Sequence, residues 1–491
     1  MELGAMNGLF IYPRSLVERA GTVFFLARAE QTGQKWLGIR GDVSGFEGMA
    51  QVANDTWICP LSAANASALR ARLLWLKPVP LGWQTSFGFG DRLGLATPGH
   101  VRAVRGTGIA PIFAQQSVRE NTRTGRTPQQ VLDEAMWGLF QEGWQQPWGA
   151  DADHVKNAAD FDPFIAAGYT FFTIDPGDHV DNEAQRASAT ELAAKVQNLP
   201  WDTLEDSLRD MERRYLGRSF SLQDTMLTFN REDLWRAAAK YGRAIAHTVQ
   251  LYRYLVERVN KREGQSFELE VSVDETETPT SPAEHLFIAS ELHRLGVRWV
   301  SLAPRFVGRF EKGVDYIGNL DAFEAEFMCH VAVVQALGPY KLSLHSGSDK
   351  FSVYPIVTRW AGALTHVKTA GTSYLEALRA IADIAPVLFR EILAFARERY
   401  ATDKATYHVS ADMGKVPMAD QLLDAELANV LDLFDGRQVL HVTFGSVLTE
   451  KKANGSYRFR DHLLKTLRDK EEQYYAVLQA HFTKHLASFV R

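Results

Sequence analysis

The stretch "FELEVSVDETETPTSPAEHLFIASELHRLGVRWVSLAP", residues 267–304, holds one complete architectural unit. "FELEVSVD" (267–274) alternates apolar and polar residues as a strand does. The Ser281-Pro282 start and Gly296 stop frame "SPAEHLFIASELHRLG" as a helix. "RWVSLAP" (298–304) then reads as a second strand. Two strands joined through such a helix lie parallel, by a right-handed crossover.

Outward from this unit the rhythm recurs. Further strand candidates are "TSFGFGD" (85–91), "IAPIFAQQ" (109–116), "YTFFTID" (169–175), "YKLSLH" (340–345), "LTHVKT" (364–369) and "QVLHVTF" (438–444), which makes eight. Helical patterns such as "SYLEALRAIADIAPVLFREILAFARERY" lie between them. Eight alternations predict a closed (β/α)8 barrel of the TIM type, with an open doubly wound sheet as the alternative. "FGFGDRLG" spaces its glycines wrongly for a dinucleotide fingerprint, which discounts the second reading. Residues 1–80 read as a small N-terminal α/β cap, with "GTVFFLARA" and "KWLGIRG" as strand-like runs and "SAANASALRARLLWL" as a helix. Residues 81–491 then form the catalytic barrel domain. Within it, 182–264 is a charge-rich helical insertion that follows the third strand, on the face where strands end; a lid or an oligomer interface is expected of it, and a homo-oligomer is left open.

Composition narrows the function classes. With 491 residues, 46% hydrophobic and 23% charged, the chain is globular. Lys plus Arg number 54 against 59 Asp plus Glu, so nothing favours a nucleic-acid or anionic-membrane partner, and a small molecule is the expected one. Cys59 and Cys329 stand far apart without a motif, against disulfides or a thiolate metal site and in keeping with a reducing cytoplasm. The opening "MELGAMNGLFIYPRSLVERAG" is too short in its apolar run for a signal peptide or a membrane span.

A barrel enzyme builds its site from strand ends and the loops after them. Those ends supply Asp91, Gln116, Asp175 and His179, then Asp274, Glu275 and Glu277, then Arg305, then His345, Ser348, Asp349 and Lys350, and finally Lys368. Asp175, Asp274 and His345 each stay in phase with Thr173, Ser272 and Ser343, so all three aim at one face of the sheet. Converging carboxylates and an imidazole hold a divalent cation, which names Asp175, Asp274 and His345 as ligands with His179 in reserve. The bland alternatives are helix capping or loop hydrogen bonding for each Asp and a satisfied core position for His345. Zinc, manganese, nickel and magnesium all suit a mixed Asp/His site. Arg305, Lys350 and Lys368 offer charge to an anion, with Ser348, Asp349, Gln116 and Asp91 as polar contacts.

The blocks "FTIDPGDHVDNEA", "VSVDETETPTSPAEH", "KLSLHSGSDKFSVYP", "HVKTAGTSYLEALR" and "HVTFGSVL" resemble the tagaturonate epimerase family of bacterial hexuronate catabolism. The resemblance spans about residues 80–450 and implies a barrel, a divalent metal and exchange between tagaturonate and fructuronate. These ketohexuronates differ at a carbon β to the ketone, whose C–H is not acidic. A retro-aldol route epimerises it: a base takes the hydroxyl proton, the bond to the α-carbon breaks, and the enediolate re-adds to the other face of the rotated aldehyde. Glu275, Glu277, Asp175 and Lys368 are the candidates for this proton traffic. A sugar isomerase or a class II-type aldolase would use similar machinery, a metal-free glycoside hydrolase would use a carboxylate pair, and a non-catalytic sugar-binding barrel would use neither. "EGWQQPWGAD" (142–151) is a candidate sugar-stacking loop.

Overall fold

Eight parallel strands close into a barrel: β1 (Ser86–Phe89), β2 (Ala110–Ser117), β3 (Gly149–Val155), β4 (Phe171–Ile174), β5 (Glu268–Ser272), β6 (Ser301–Ala303), β7 (Lys341–Leu344) and β8 (Thr365–Thr369). They pair in chain order, and the circle closes where His366 of β8 meets Ser86 of β1. The computed structural model describes residues 8–222, 225–262 and 264–490, so the first seven residues of the opening stretch lie outside the described residues. No helix among the described residues is long and apolar enough to cross a membrane.

The alternation of side chains sorts the strands into two faces. Phe87, Phe89, Leu269, Val271, Leu302, Leu342, Leu344 and Val367 turn outward under the helices and are buried there. The inward face begins with a small apolar plug of Ala110, Ile112 and Phe171 with Leu81. Above the plug it becomes polar: Asp151, Thr173, Glu270, Ser301, Ser343, His366 and Lys368 are all buried. Barrels of this type are more often filled with branched apolar side chains.

Four readings of the sequence are corrected here. "GADADHV" forms the third strand, although Gly, Ala and Asp are poor strand residues. "QVLHVTF" is helical, divided between the helices Phe434–Val442 and Phe444–Thr449. Residues 436–442 are buried throughout, so the run has no exposed face to reveal a helical period. The stretch "EGWQQPWGAD" therefore leads into β3, and Trp144 and Trp148 are core residues rather than a sugar platform. The insertion follows the fourth strand, not the third. Its last element, the helix Arg231–Asn260, packs beside the helices Ala158–Ala167 and Pro282–Arg294 and serves as the crossover between β4 and β5.

Ahead of the barrel, six short strands between Leu9 and Cys59 make an antiparallel sheet, followed by the helix Ala63–Arg72 capped by Ser62. The C-terminal helix Glu471–Ala487 joins the parts. Its Phe482 packs on Phe89 and His100, and its Glu471 accepts a 2.5 Å hydrogen bond from Tyr12 of the sheet.

Where β1 ends, its backbone presses on the segment after β8. A Cβ at Gly90 would lie 2.5 Å from the Ala370 Cα and 2.6 Å from its carbonyl oxygen. Backbone on both sides cannot yield, so Gly90→Ala is expected to cost about 1–3 kcal/mol through overpacking. Thermal unfolding of the variant checks this; an unchanged midpoint contradicts so close an approach.

Candidate active site

At the strand ends one ammonium organises the interior. Lys368 Nζ lies 2.8 Å from Asp151 Oδ2, 2.9 Å from Asp153 Oδ1 and 3.0 Å from Glu270 Oε1, and donates to Thr173 Oγ1 at 2.6 Å. Burial opposes charge on Lys368, but Asp151, Asp153 and Glu270 outweigh it and hold the ammonium protonated. Burial also opposes ionisation of Glu270 and Asp153, and Lys368 reverses that in both. Asp151 is the exception: burial, reinforced by Asp153 and Glu270 against the pull of Lys368, lifts it to about 7.

Beside this cluster two imidazoles face each other, with His154 Nε2 2.8 Å from His345 Nε2. Each is held from behind by a carboxylate. His154 Nδ1 is 2.9 Å from Asp175 Oδ2, and His345 Nδ1 is 3.1 Å from Glu270 Oε1. With both Nδ1–H groups donating to carboxylates, both Nε2 atoms present lone pairs to one space, and Asp153 Oδ1 stands 3.2 Å from the His345 nitrogen. Three acceptors so close repel unless a cation lies among them. In the free chain a proton serves: burial works against it, yet Asp274 and Asp153 raise His345 to about 10. Ligand atoms of Asp153, His154 and His345 all lie within 4.8 Å of one another, a donor set that fits a divalent ion.

Neighbours on a strand point to opposite faces, so Asp153 and His154 need a special backbone to share the mouth. A β-bulge supplies it. Phe172 pairs with Ala152 but Ile174 with Val155, leaving one extra residue on β3, and His154 takes the left-handed conformation at φ +50°. An exception of this kind in a histidine marks a position where geometry outweighs local strain.

Two cavities meet at His345. The larger, about 270 Å³, is lined by Asp274, Glu275, Arg305, Arg309, Lys312 and His408 among others. The smaller, about 30 Å³, reaches Asp153, His154, Lys368, Ser348 and Arg119. Glu275 Oε1 lies 3.5 Å from Arg119, 3.7 Å from Lys312 and 3.8 Å from His154. Burial raises its proton affinity, but His154, Lys312 and Arg119 pull it well below the usual range and keep it ionised. Arg305 stands in the cavity wall, and its guanidinium makes no hydrogen bond or ion pair among the described residues.

The structure thus brings together His345, Asp175, Asp274, Glu275, Lys368, Arg305 and Ser348, with Asp175 behind His154 and Asp274 4.0 Å from His345. Other expected residues are placed elsewhere, for reasons that are physical. His179 sits in a short turn stacked on His247, ring centroids 3.9 Å apart. Glu277 is exposed and lines neither cavity. Gln116 pairs beside Ala152 on the outward face of β2, one residue out of phase with Gln115, which reaches Asp153. Asp91 spends both oxygens on the amides of Leu93, Gly94 and Ala96. Asp349 turns from the mouth to Arg437 and His481. Lys350 donates all three of its protons to the carbonyls of Glu311, Val314 and Ser348.

A second acidic and histidine cluster, Asp349, His481 and His485, is already satisfied. His485 Nε2 accepts from the Asp349 amide at 2.9 Å while its Nδ1 donates to the His481 carbonyl, so neither nitrogen is open.

Comparison with known proteins gives one coherent set of matches. The model of the tagaturonate epimerase family matches residues 12–489. A tagaturonate/fructuronate epimerase of Thermotoga maritima is 43% identical over 487 residues, which is 98% of this chain and 97% of that protein. The native crystal structure of a fructuronate-tagaturonate epimerase from Cohnella laeviribosi superposes with a TM-score of 0.92 at 39% identity, covering 98% of this chain and 97% of the other. A glycerol complex of that enzyme gives 0.91 at 39% identity, covering 98% and 96%.

Lys350 and Arg305 separate structural from cavity-facing charge. Lys350→Met leaves three buried carbonyls without a donor and is expected to cost about 1–3 kcal/mol of stability. Arg305→Met is expected to leave the unfolding free energy within about 0.5 kcal/mol of the parent, as substitutions away from packed networks do. Denaturant melts of both variants check the contrast, and equal losses would contradict it.

Proposed function

The chain belongs to the tagaturonate epimerase family, an isomerase family, and on that premise we propose that it interconverts tagaturonate and fructuronate through carbon–carbon bond cleavage. The observation that carries the reading is the pair of Nε2 atoms 2.8 Å apart, backed by carboxylates, with His345 of the pair lining a cavity that holds an unpaired guanidinium. Asp153, His154 and His345 would hold a divalent metal ion. Bound there, such an ion supplies Lewis-acid stabilisation for an enediolate. This set replaces the expected Asp175, Asp274, His345 and His179, of which only His345 remains a ligand; Asp175 orients His154.

The chain's own residues divide the remaining work. Arg305 takes the substrate carboxylate, since Lys350 and Lys368 have no donor to spare. Glu275, ionised and on the cavity wall, takes the hydroxyl proton from the carbon β to the ketone. Lys312, which lines both cavities, and Ser348, which lines the smaller, serve the hydroxyls. Lys368 is a charge anchor rather than a proton carrier, because three carboxylates fix its proton. Cleavage of the bond next to the β-carbon turns that carbon into an aldehyde, which can rotate before the bond re-forms and so invert its configuration.

An NMR time course with tagaturonate, with and without chelator, is expected to show fructuronate only while metal is present. Conversion that survives exhaustive chelation would remove the metal, and no conversion in either sample would remove the epimerase. Glu275→Gln is expected to lower kcat by about 10²–10⁴-fold, the usual span for a proton-transfer group. His345→Ala is expected to abolish metal binding by calorimetry without change in the circular dichroism spectrum.

A further inference from the structure

On the proposed reading, the two halves of the substrate would lie in unlike surroundings. The ketone end faces side chains shut from water: Glu270 is 0% exposed, His345 2% and Asp153 4%. The carboxylate end, at Arg305, lies in a wall that reaches solvent beside it, where the Arg309 side chain is 57% exposed and His408 is exposed as well. Cleavage between the β- and α-carbons gives one fragment at each end.

The fragments follow from the bond that breaks. The base takes the hydroxyl proton of the β-carbon, that oxygen becomes the aldehyde oxygen, and the electron pair of the broken bond passes into the ketone half as an enediolate. The acid half is then 2-hydroxy-3-oxopropanoate, and the ketone half is the enediolate of dihydroxyacetone. Re-addition consumes that electron pair to form the new bond and returns one proton to the new alkoxide. No oxidant or reductant enters.

We propose that the protein has a second activity, aldol exchange, in which a free three-carbon aldehyde acid replaces the acid half of a bound ketohexuronate. The proposal rests on the bond-cleavage reading above and adds an order to it. The aldehyde acid sits on the solvent side, held by one guanidinium, and leaves first; the enediolate stays against the buried cluster and accepts the next aldehyde. Arg305 also sets the acceptor class. An aldehyde bearing a carboxylate pairs with it, whereas glyceraldehyde, with a hydroxymethyl group in that position, leaves the guanidinium without an anion.

The test uses the full-length, metal-loaded protein with unlabelled tagaturonate and racemic 2-hydroxy-3-oxopropanoate carrying ¹³C on all three carbons. Label is expected in the carboxylate half of both epimers, more slowly than the epimers interconvert, with labelled dihydroxyacetone entering the other half more slowly still. Epimerisation without uptake of the labelled aldehyde acid overturns the exchange activity and leaves the epimerase reading standing. Faster entry of labelled dihydroxyacetone overturns the order. Failure to epimerise overturns the reading and the exchange together. In Arg305→Met the preference for labelled aldehyde acid over labelled glyceraldehyde is expected to fall at least tenfold, and an unchanged ratio overturns the acceptor assignment.

Discussion

The ion pairing of Lys368 with Asp151, Asp153 and Glu270 is the constraint on which the barrel depends. Three strands, β3, β5 and β8, each bring charge into the interior, and all of these side chains are buried. Buried charges tolerate this only when partners are complete, and loss of one partner from such a group costs about 3–5 kcal/mol. The ammonium therefore fixes the register of β8 against β3 and β5 as firmly as apolar packing fixes the helices outside. It also explains an interior that is polar above the plug of Ala110, Ile112 and Phe171.

One ammonium does not neutralise three carboxylates, and the surplus has consequences at the mouth. Asp151 answers by holding a proton more tightly, up to about 7. Asp153 and Glu270 stay ionised and turn their remaining field on His345, whose imidazole they surround with Asp274. An imidazole so placed holds its proton more tightly than a free one, with Asp274 and Asp153 outweighing burial. The bulge at His154 brings a second imidazole to the same point. Anchoring charge in the barrel and cation affinity at its mouth are one electrostatic arrangement.

Much of this was legible in the sequence, and the failures are instructive. Seven of the eight strands and the phase that aims Asp175, Asp274 and His345 inward follow from period-two alternation. β3 does not, because "GADADHV" is built from residues chosen for charge and close approach rather than for strand propensity. With β3 went Asp151, Asp153 and His154, the heart of the site. The alternation of Ala with Asp just before a histidine was the available signal, and the bulge ends it at the residue that matters. Asp349 and Lys350 failed differently. Their partners, His481 and Arg437 for one and the carbonyls of Glu311 and Val314 for the other, are distant in sequence, and position after a strand says nothing of which way a loop side chain turns.

That turn of Lys350 and Asp349 away from the mouth shapes what the mouth can select. With Lys350 locked to the wall loop and Lys368 locked to its carboxylates, the charge still open to a ligand in the larger cavity is Arg305, apart from cations already facing Glu275 or Glu311. The negative cluster lies at the deep end, and the free guanidinium lies towards solvent. A ligand with one carboxylate is drawn to the guanidinium; a unit pair at about 4 Å is worth about 4 kcal/mol at an effective dielectric near 20. On the proposed reading, the same separation would set the carbonyl end of a ketohexuronate at the imidazoles and its β-carbon beside Glu275, which shares the larger cavity with His345 and Arg305. A sugar lacking the carboxylate would forgo the pairing with Arg305, so the proposed reading makes the acid group one of the two handles by which the barrel orients its ligand, the cation site at the imidazoles being the other.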